Sequence, residues 1–390
     1  MTRYAFYTLG CKANQYQTEA LKSQVAGHGS QVVDFSSEAD VYVINTCTVT
    51  YDAERTSRQA IRRALRQNPK ARVIVTGCYA KLNRVELKRL FPQVEIRDPS
   101  HLSTQPPIHP ATHVRRNLMI QDGCEHFCSY CIVPYARGKI KSKPVEDVVS
   151  EAGQMVQAGA REIILTGINL GTYQYDLAKV IARLSEMEDL ARIRLSSLEP
   201  MYIKKELIEA AAKIPKVCRH LHIPLQSGDD NILEAMNRTY SRADYRELIS
   251  YIRNKMPDCG ITTDVIVGFP GEGEKEFQNT VALIKEIRFS RLHIFSYSPR
   301  KSTPAAGFRD QVDPAIKKKR NQALHHLRDK HTKEFARQYL GKEVEILVEQ
   351  KGSGLTSNYI RVLCSDTQSD VGKVRRVRIR GIKEGCCLAE

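Results

Sequence analysis

The sequence predicts an α/β protein with three parts: a small doubly wound parallel α/β domain, a central incomplete (β/α)6 barrel and a small C-terminal β-barrel. Three observations lead to this prediction. Residues 1–96 alternate short apolar runs with helical stretches. Six further apolar runs in residues 114–335 recur roughly every 30 to 40 residues, the size of a barrel βα unit. Residues 338–390 alternate polar and apolar residues, as short half-buried strands do.

The first region contains three strand-like runs, each followed by a helical stretch. They span residues 3–10, 41–47 and 72–78. A βαβαβα order makes these strands parallel, with all their carboxyl ends at one edge of the sheet. Cys11, Cys47 and Cys78 lie at or just beyond the ends of the runs. One such cysteine would be an ordinary core residue, but three strands ending this way predict a three-thiolate cluster site.

The second region follows a linker predicted at residues 97–113, which contains four prolines and has no apolar periodicity. Its six strand-like runs span residues 117–121, 162–168, 192–197, 220–225, 261–269 and 291–298. Helical stretches separate the runs. Six βα units form an incomplete barrel, which is open at one side and can admit a large substrate.

A cysteine motif follows the first barrel strand. Residues 121–138 read QDGCEHFCSYCIVPYARG, in which Cys124, Cys128 and Cys131 have the spacing C-x3-C-x2-C. A structural zinc site needs a fourth ligand, and no second cysteine or histidine pair follows within about forty residues. Three thiolates without a fourth ligand indicate a metal cluster with one open coordination position. The motif is expected at the carboxyl-end face, where barrel chemistry takes place.

The third region is basic. Residues 371–390 carry six Lys and Arg against two Glu, and a small basic β-barrel is suited to binding an RNA backbone. The run at residues 316–335, which precedes this region, is predicted to be a solvated basic helix.

The composition restricts the possible partners and the location. The 390 residues carry a net charge of +16, which favours a polyanionic partner such as nucleic acid, with a merely basic surface as the alternative. The sequence has neither a membrane-length apolar run nor the apolar region of a signal peptide, so a cytoplasmic protein without a membrane partner is predicted. In a reducing compartment its eleven cysteines are expected to be thiols.

The motifs resemble those of a known enzyme family. A cubane iron–sulfur cluster held by three cysteines leaves one iron without a protein ligand, and C-x3-C-x2-C after a first barrel strand resembles the radical S-adenosylmethionine (SAM) enzymes. Nearly the whole chain resembles one subfamily, the methylthiotransferases, through LGCKANQYQTE, INTCTV, TGCYA and CEHFCSYCIVPYARG. The resemblance implies an auxiliary-cluster domain (1–96), a radical SAM core (114–335) and an RNA-binding TRAM-like domain (338–390).

The same resemblance implies two 4Fe–4S clusters and SAM as cofactors. Each cluster would be held by one cysteine triad. Cys124, Cys128 and Cys131 would hold the cluster that cleaves SAM. The auxiliary cluster, which carries the sulfur, would be held by Cys11, Cys47 and Cys78. One SAM would methylate that sulfur, and a second would yield the radical that removes a hydrogen from the substrate. The implied SAM contacts are Tyr130, Thr166, Gly167, Asn169, Glu199, His222 and Gln226. A polar residue at a strand end is also often a helix cap, which is the alternative for the polar contacts.

The stretch GCKANQYQTE resembles one branch of the family. That branch acts on the C-2 carbon of N6-threonylcarbamoyladenosine next to the tRNA anticodon and reads GCKxNQYE, whereas the isopentenyladenosine branch reads GCQMN. SSLEP and AMNRTYS fit the threonylcarbamoyl branch, and Gln17 stands where it commonly has Glu. The implied partners are a tRNA anticodon stem-loop, an electron donor such as flavodoxin or ferredoxin, and a sulfur donor.

Two kinds of alternative remain open. Within the family, the substrate could be isopentenyladenosine in tRNA or ribosomal protein S12, although the basic tail argues against S12. A non-catalytic RNA-binding protein stabilised by structural metals is an alternative of another class. Six cysteines in two incomplete triads argue against it, because structural sites usually close with four ligands.

Overall fold

The computed structural model describes residues 1–98 and 114–390. Of the predicted linker, residues 99–113 lie outside the described residues. The described parts confirm the predicted fold class, because they form a parallel α/β domain, an incomplete parallel barrel and a closed C-terminal β-barrel.

The N-terminal domain is a parallel sheet with helices packed against it. Its elements are β1 (Arg3–Thr8), α1 (Lys12–Gly27), β2 (Gln31–Val33), β3 (Val41–Thr46), α2 (Tyr51–Gln67), β4 (Arg72–Gly77), α3 (Cys78–Leu82), α4 (Arg84–Leu90) and β5 (Glu95–Ile96). The strand order is β2-β1-β3-β4-β5. Strand β3 is buried along its whole length, as expected where helices cover both faces. The 3-residue β2 and the 2-residue β5 extend the sheet beyond the three predicted strands.

The central domain contains the six predicted parallel strands. They are β6 (Arg115–Met119), β9 (Glu162–Thr166), β10 (Arg192–Leu195), β11 (His220–His222), β12 (Gly260–Val267) and β13 (Arg291–Ser296). A short ribbon, β7 (Gln121–Asp122) with β8 (Lys141–Ser142), and the helix α5 (Val133–Arg137) follow β6. The helices that separate the later strands are α6 (Val145–Gln157), α7 (Leu177–Ser185), α8 (Lys205–Lys213), α9 (Asp230–Ala235), α10 (Arg242–Lys255) and α11 (Glu274–Ile287).

The six strands form one curved sheet. Two three-stranded sheets, β6-β9-β10 and β11-β12-β13, are joined by isolated bridges between Ile193 and Val217 and between Ser197 and His222. Within the described residues, β6 pairs only with β9 and β13 only with β12, so the barrel is open between β6 and β13. Helix α1 of the N-terminal domain packs against β6, and Asn117 on β6 donates a hydrogen bond to Gln15 at 3.1 Å.

The C-terminal barrel follows a long helix, α12 (Pro314–Arg337). Its strands are β14 (Glu343–Gln350), β15 (Ser353–Thr356), β16 (Arg361–Cys364), β17 (Val374–Lys383) and β18 (Cys386–Ala389), closed in the order β14-β15-β16-β18-β17. The prediction of a solvated helix at 316–335 is wrong in part, because α12 packs against β13 and buries Leu324, His331 and Ala336. Its high lysine content hides the few apolar positions that make this contact.

The turn between β15 and β16 closes the amino-terminal end of the half-barrel. Tyr359 lies in this turn with a φ of 75°, and its ring stacks on that of His220, the first residue of β11, at 4.3 Å. Arg192 donates to the carbonyl oxygen of Leu355 at 2.5 Å, and Arg194 to that of Ser357 at 3.1 Å. The C-terminal barrel therefore forms the floor of the half-barrel, opposite the carboxyl-end face.

A buried ion pair joins the strands just above this floor. Glu162 is fully buried and accepts hydrogen bonds from Arg194 at 2.7 Å and Arg115 at 2.9 Å. Burial alone would raise the pKa of Glu162, but the two arginines outweigh it and lower that pKa to about 2. We expect Glu162→Gln to lower the free energy of unfolding by about 3–5 kcal/mol, because it leaves a buried guanidinium uncompensated. Urea unfolding of the full chain at pH 7 measures this loss.

The matched control for this prediction is Glu146→Gln, which breaks a surface pair with Arg183 of 3.0 Å and should leave the unfolding midpoint almost unchanged. Since the pKa of Glu162 is lower in the folded than in the unfolded chain, its contribution is present above its ordinary pKa of 4.5 and is lost as the pH falls towards about 2. Equal midpoints for the two variants would contradict a stabilising role for Glu162.

Two contacts fix the N-terminal domain against the half-barrel. Tyr16 on α1 donates to Glu151 on α6 at 2.6 Å and accepts from Lys143 at 2.8 Å. Farther along the interface, Arg300 forms a buried ion pair with Glu54 on α2. These contacts hold the carboxyl ends of the N-terminal sheet beside the carboxyl-end face of the half-barrel.

None of the described helices is both long enough and apolar enough to cross a membrane.

Candidate active site

The first cysteine triad lies on the loop between β7 and α5. The backbone N–H of Cys131 donates to the carbonyl of Cys128 at 3.0 Å, and that of Cys124 to the carbonyl of Gly138 at 3.1 Å. Ser129, within the motif, donates from its N–H to the carbonyl of Met236 at 3.1 Å and from its hydroxyl to that of Ala235 at 2.7 Å. The loop is thus held at both ends and in the middle, at the carboxyl-end face predicted for it.

An arginine touches this triad. Arg238 lies just after α9, donates to the Cys128 sulfur at 3.3 Å and forms an ion pair with Glu199. Burial raises the pKa of Cys124, Cys128 and Cys131, and at Cys128 the guanidinium opposes this effect. The arginine therefore favours the thiolate form of the cysteine that it contacts.

A buried amide lies on another side of the triad. Asn169 donates its backbone N–H to the side-chain oxygen of Gln121 at 2.9 Å, and its side chain hydrogen-bonds the Cys124 thiol. The side-chain oxygen of Asn169 is buried and has no partner among the described residues. Thr166 ends β9 and accepts the N–H of Ile120 through its carbonyl at 2.9 Å, and Gly167 follows it next to Gln121.

The remaining predicted SAM contacts divide into two groups. Tyr130 joins the triad region, with its ring 6.4 Å from that of Phe269 and perpendicular to it. His222 and Gln226 are instead attached to β12: the His222 Nε2 lies 3.3 Å from a carboxylate oxygen of Asp264, and the Gln226 N–H donates to the Asp264 carbonyl at 2.8 Å. The structure thus brings Tyr130, Asn169 and Glu199 to the triad, and places His222 and Gln226 on another wall of the half-barrel.

The His222 wall is an internally bonded cluster. Asp264 accepts from His222 and, at 3.1 Å, from His293, and the two imidazole rings stack at 5.3 Å. Burial would raise the pKa of Asp264, but the hydrogen bonds from the two histidines outweigh it and hold that pKa well below its usual range. The Asp264 carboxylate is therefore already occupied by side chains of the half-barrel.

The second triad forms at the edge of the N-terminal sheet, as the strand order predicts. Gly10 has a φ of 94°, and a Cβ on it would lie 3.0 Å from the Cys47 sulfur, so the Cys11 loop passes close to Cys47. Gly77, with a φ of 92°, precedes Cys78 and has no room for a Cβ against Thr46. Cys47 is buried, and burial raises its pKa to about 11. Cys11 is exposed.

Arg137 connects the two triads. It ends α5, six positions after Cys131 in the chain, and hydrogen-bonds the Cys78 thiol on α3. It also pairs with Asp122 at 3.4 Å, two positions before Cys124. The same motif that supplies the first triad therefore contacts the second triad from the opposite side of the domain interface.

The chain is similar to known proteins over almost its whole length. It matches the Radical SAM superfamily over residues 118–284 and the Uncharacterized protein family UPF0004 over residues 3–97. It is 39% identical to the threonylcarbamoyladenosine tRNA methylthiotransferase MtaB of Bacillus subtilis (strain 168), covering 97% of this chain and 94% of that protein. The chain belongs to the radical SAM methylthiotransferase family.

Two further likenesses are informative. The chain is 35% identical to the tRNA-2-methylthio-N(6)-dimethylallyladenosine synthase of Endomicrobium trichonymphae, over 97% of each protein. The solved structure of the radical SAM methyltransferase TsrM from Kitasatospora setae superposes with a TM-score of 0.58, covering 78% of this chain and 77% of that one at 15% identity. At that identity the superposition supports the fold alone.

Membership of the radical SAM methylthiotransferases makes the chain an enzyme and implies a 4Fe–4S cluster and SAM. The residues fit this cofactor set. The structure pairs none of the eleven cysteines in a disulfide, and the first triad offers three sulfurs from one firmly held loop. Burial disfavours ionisation of these thiols, and the positive charge of bound iron would favour it.

Two residues of this methylthiotransferase site were not predicted as site residues. Arg137 lies in CIVPYARG and Arg238 in AMNRTYS, both stretches that carried the family resemblance. Each contacts a predicted cluster cysteine, Cys78 and Cys128 respectively. A basic residue close to a cysteine motif is the signal that points to such contacts, although spacing alone does not say which thiol is touched.

Proposed function

We propose that this enzyme methylthiolates the C-2 carbon of N6-threonylcarbamoyladenosine in the anticodon stem-loop of tRNA. The observation that carries the proposal is the stretch GCKANQYQTE at residues 10–19, together with 39% identity to a protein named for this substrate. The same region supplies Cys11 and the start of α1, which packs against the half-barrel.

A second candidate is isopentenyladenosine in tRNA. The 35% identity to a 2-methylthio-N(6)-dimethylallyladenosine synthase favours it, and the two names differ in substrate rather than in reaction. Residue 12 distinguishes the two candidate substrates, because the chain has Lys at this position, where the isopentenyladenosine branch has Gln.

In this proposal the first triad, Cys124, Cys128 and Cys131, holds the cluster that cleaves SAM. When bound, the cluster and SAM supply the methyl group and the radical that removes the C-2 hydrogen. The unpartnered oxygen of Asn169 fits the ammonium group of SAM, because it is a buried acceptor beside Cys124. Glu199 and Arg238 form a charged pair next to Cys128, where they would orient the polar groups of bound SAM.

The other SAM contacts are assigned by position. Tyr130 and the Thr166–Gly167 turn line the carboxyl-end face beside the triad. His222, at the end of β11, and Gln226 both contact Asp264 on β12, where they would meet the more distant part of SAM or the substrate. For each of these polar residues the alternative role is to cap a helix. The hydrogen bonds described for His222 are not helix caps.

The second triad, Cys11, Cys47 and Cys78, is proposed to hold the auxiliary 4Fe–4S cluster. Three observations support this: the sulfur of Cys47 lies beside the Cys11 loop, Cys78 is hydrogen-bonded to Arg137, and Arg137 belongs to the motif of the first triad. A cluster held by these three cysteines would lie beside the half-barrel and would supply the sulfur that is transferred.

A basic surface supports binding to RNA. On β17 the side chains of Val377 and Ile379 are buried, whereas Arg376, Arg378 and Arg380 are exposed on the other face. Together with the net charge of +16, this face is suited to phosphate contacts. The electron donor, a flavodoxin or ferredoxin, and the sulfur donor remain expectations from the family.

Nucleoside mass spectrometry of total tRNA tests the proposal. Cells lacking this gene should accumulate N6-threonylcarbamoyladenosine and lose its methylthio form, and a plasmid copy of the chain should restore the methylthio form. A copy with Cys124→Ala, Cys128→Ala and Cys131→Ala should not restore it. If the threonylcarbamoyl nucleosides are unchanged and the methylthio form of isopentenyladenosine is lost instead, the second candidate is correct.

A further inference from the structure

A lysine stands next to the auxiliary-cluster triad and points to the interior of the half-barrel. Lys12 is the first residue of α1 and directly follows Cys11. The first turn of α1 is well fixed: the Asn14 side chain donates to the carbonyls of Leu9 at 2.7 Å and Thr46 at 3.1 Å. The charged neighbours of Lys12 lie on β6, β9 and β10, just above the floor of the half-barrel.

The charges around Lys12 do not neutralise it. Arg115 and Arg194 share Glu162, at 2.9 and 2.7 Å, and Arg115 also donates to Glu349 at 2.5 Å. Glu349 also accepts from Arg361 at 3.0 Å, so three guanidinium groups already occupy the two carboxylates. The Lys12 ammonium forms no ion pair or hydrogen bond with any residue in the described ranges 1–98 and 114–390. A partly buried cation without a partner is costly, and such groups are concentrated at binding sites.

Within the described part of the chain, no carboxylate besides Glu162 is among the charged neighbours of Lys12. Asp264, on the neighbouring wall, is held by His222 and His293. Tyr359 closes the floor by stacking on His220, so that an anion entering from solvent beneath would meet a ring rather than an opening. A ligand of Lys12 would therefore have to enter from the carboxyl-end face, where the two triads lie.

We propose that Lys12 binds the threonyl carboxylate of the substrate and thereby selects the threonylcarbamoyl nucleoside. This inference rests on the proposed function. In adenine, N6 and C-2 both flank the N1 edge of the ring, so a substituent on N6 lies beside the carbon that is modified. If the base lies with its C-2 carbon towards the auxiliary triad, its N6 substituent extends past Cys11. The next residue in the chain is Lys12.

The pairing also explains discrimination. A threonylcarbamoyl group brings one carboxylate to the one uncompensated ammonium, and the resulting charge-assisted hydrogen bond satisfies both groups. An isopentenyl group is uncharged and would leave the ammonium desolvated and unpaired. Sites that are built to bind a polar group reject analogues that lack it, because the buried partner is then left unsatisfied.

The test compares two RNA substrates on the reconstituted full-length enzyme. One is an anticodon stem-loop carrying N6-threonylcarbamoyladenosine, and the other carries the methyl ester of the same group, which removes only the charge. The wild-type enzyme should have a KM about 10- to 100-fold higher for the ester than for the acid, with a smaller change in kcat. Lys12→Gln should raise the KM for the acid by a similar factor and abolish the preference, whereas Lys12→Arg should retain a preference for the acid.

Lys22→Gln is the matched control, because Lys22 lies on the same helix in a surface pair with Glu19 of 2.8 Å. It should behave as the wild type. Iron content confirms that the cluster beside residue 12 is retained in each variant. If the wild-type enzyme modifies the acid and the ester equally well, the role of Lys12 is refuted while the proposed function stands. If the wild type modifies neither, the proposed function itself fails.

Discussion

Cys128→Ser is expected to abolish reductive cleavage of SAM and, with it, formation of the methylthio product. Cys128 is the buried sulfur of the first triad and the one that Arg238 contacts at 3.3 Å. The loss should exceed about 100-fold, because even groups outside the coordination sphere of a metal contribute about 10- to 100-fold. The measurement is 5′-deoxyadenosine formed per chain under anaerobic reducing conditions, together with iron content, which should fall from about eight to about four atoms per chain.

Cys386→Ser is the matched control for this experiment. Cys386 lies in β18 of the C-terminal barrel, and no part of the proposed chemistry assigns it to either triad. This variant should keep the iron content and the rate of SAM cleavage. A Cys128→Ser enzyme that still forms 5′-deoxyadenosine at the control rate would contradict the assignment of the first triad.

Cys78→Ser is expected to separate the two chemistries. Cys78 belongs to the second triad and hydrogen-bonds Arg137 of the first motif. Cleavage of SAM should therefore continue, whereas the methylthio product should fall by more than about 100-fold, since an auxiliary cluster lacking one of three ligands cannot hold the sulfur in place. Product analysis of the same reaction measures both quantities, and iron content should again fall towards about four atoms per chain.

The opposite pattern would be informative. If Cys78→Ser kept about eight irons and full methylthio activity, the second triad would have no role in the reaction. If it lost SAM cleavage as completely as Cys128→Ser, the two triads would act as one site. Either result would contradict the assignment of SAM cleavage to the first triad and of the transferred sulfur to the second.

Much of this arrangement follows from local sequence. The apolar runs ending near Cys47 and Cys78 predict parallel strands, and parallel topology brings their ends to one edge. The spacing of Cys124, Cys128 and Cys131 is compact enough for one loop to hold all three. Both predictions depend on contacts that are near in sequence or set by strand order, which is why they can be made without coordinates.

Other features depend on contacts that no local pattern encodes. Tyr359 reaches His220 across 139 positions of the chain, and its TSNYI turn gives no sign of such a partner. Lys12 is left unpaired because Glu162 and Glu349 pair with Arg115, Arg194 and Arg361 instead. Strands as short as β2 and β5 exist because a neighbouring strand offers hydrogen bonds, not because their own residues form an apolar run.

In the proposed function, two cluster sites act together on a threonylcarbamoyl nucleoside in RNA. The most direct test supplies the reconstituted enzyme with SAM, a reductant, sulfide and a stem-loop carrying that nucleoside, and quantifies all products. We expect methylthio product accompanied by equal amounts of S-adenosylhomocysteine and 5′-deoxyadenosine, since one SAM donates the methyl group and another supplies the radical. Formation of both SAM products with an unchanged nucleoside would contradict the substrate assignment, and absence of S-adenosylhomocysteine would contradict the two-step use of SAM.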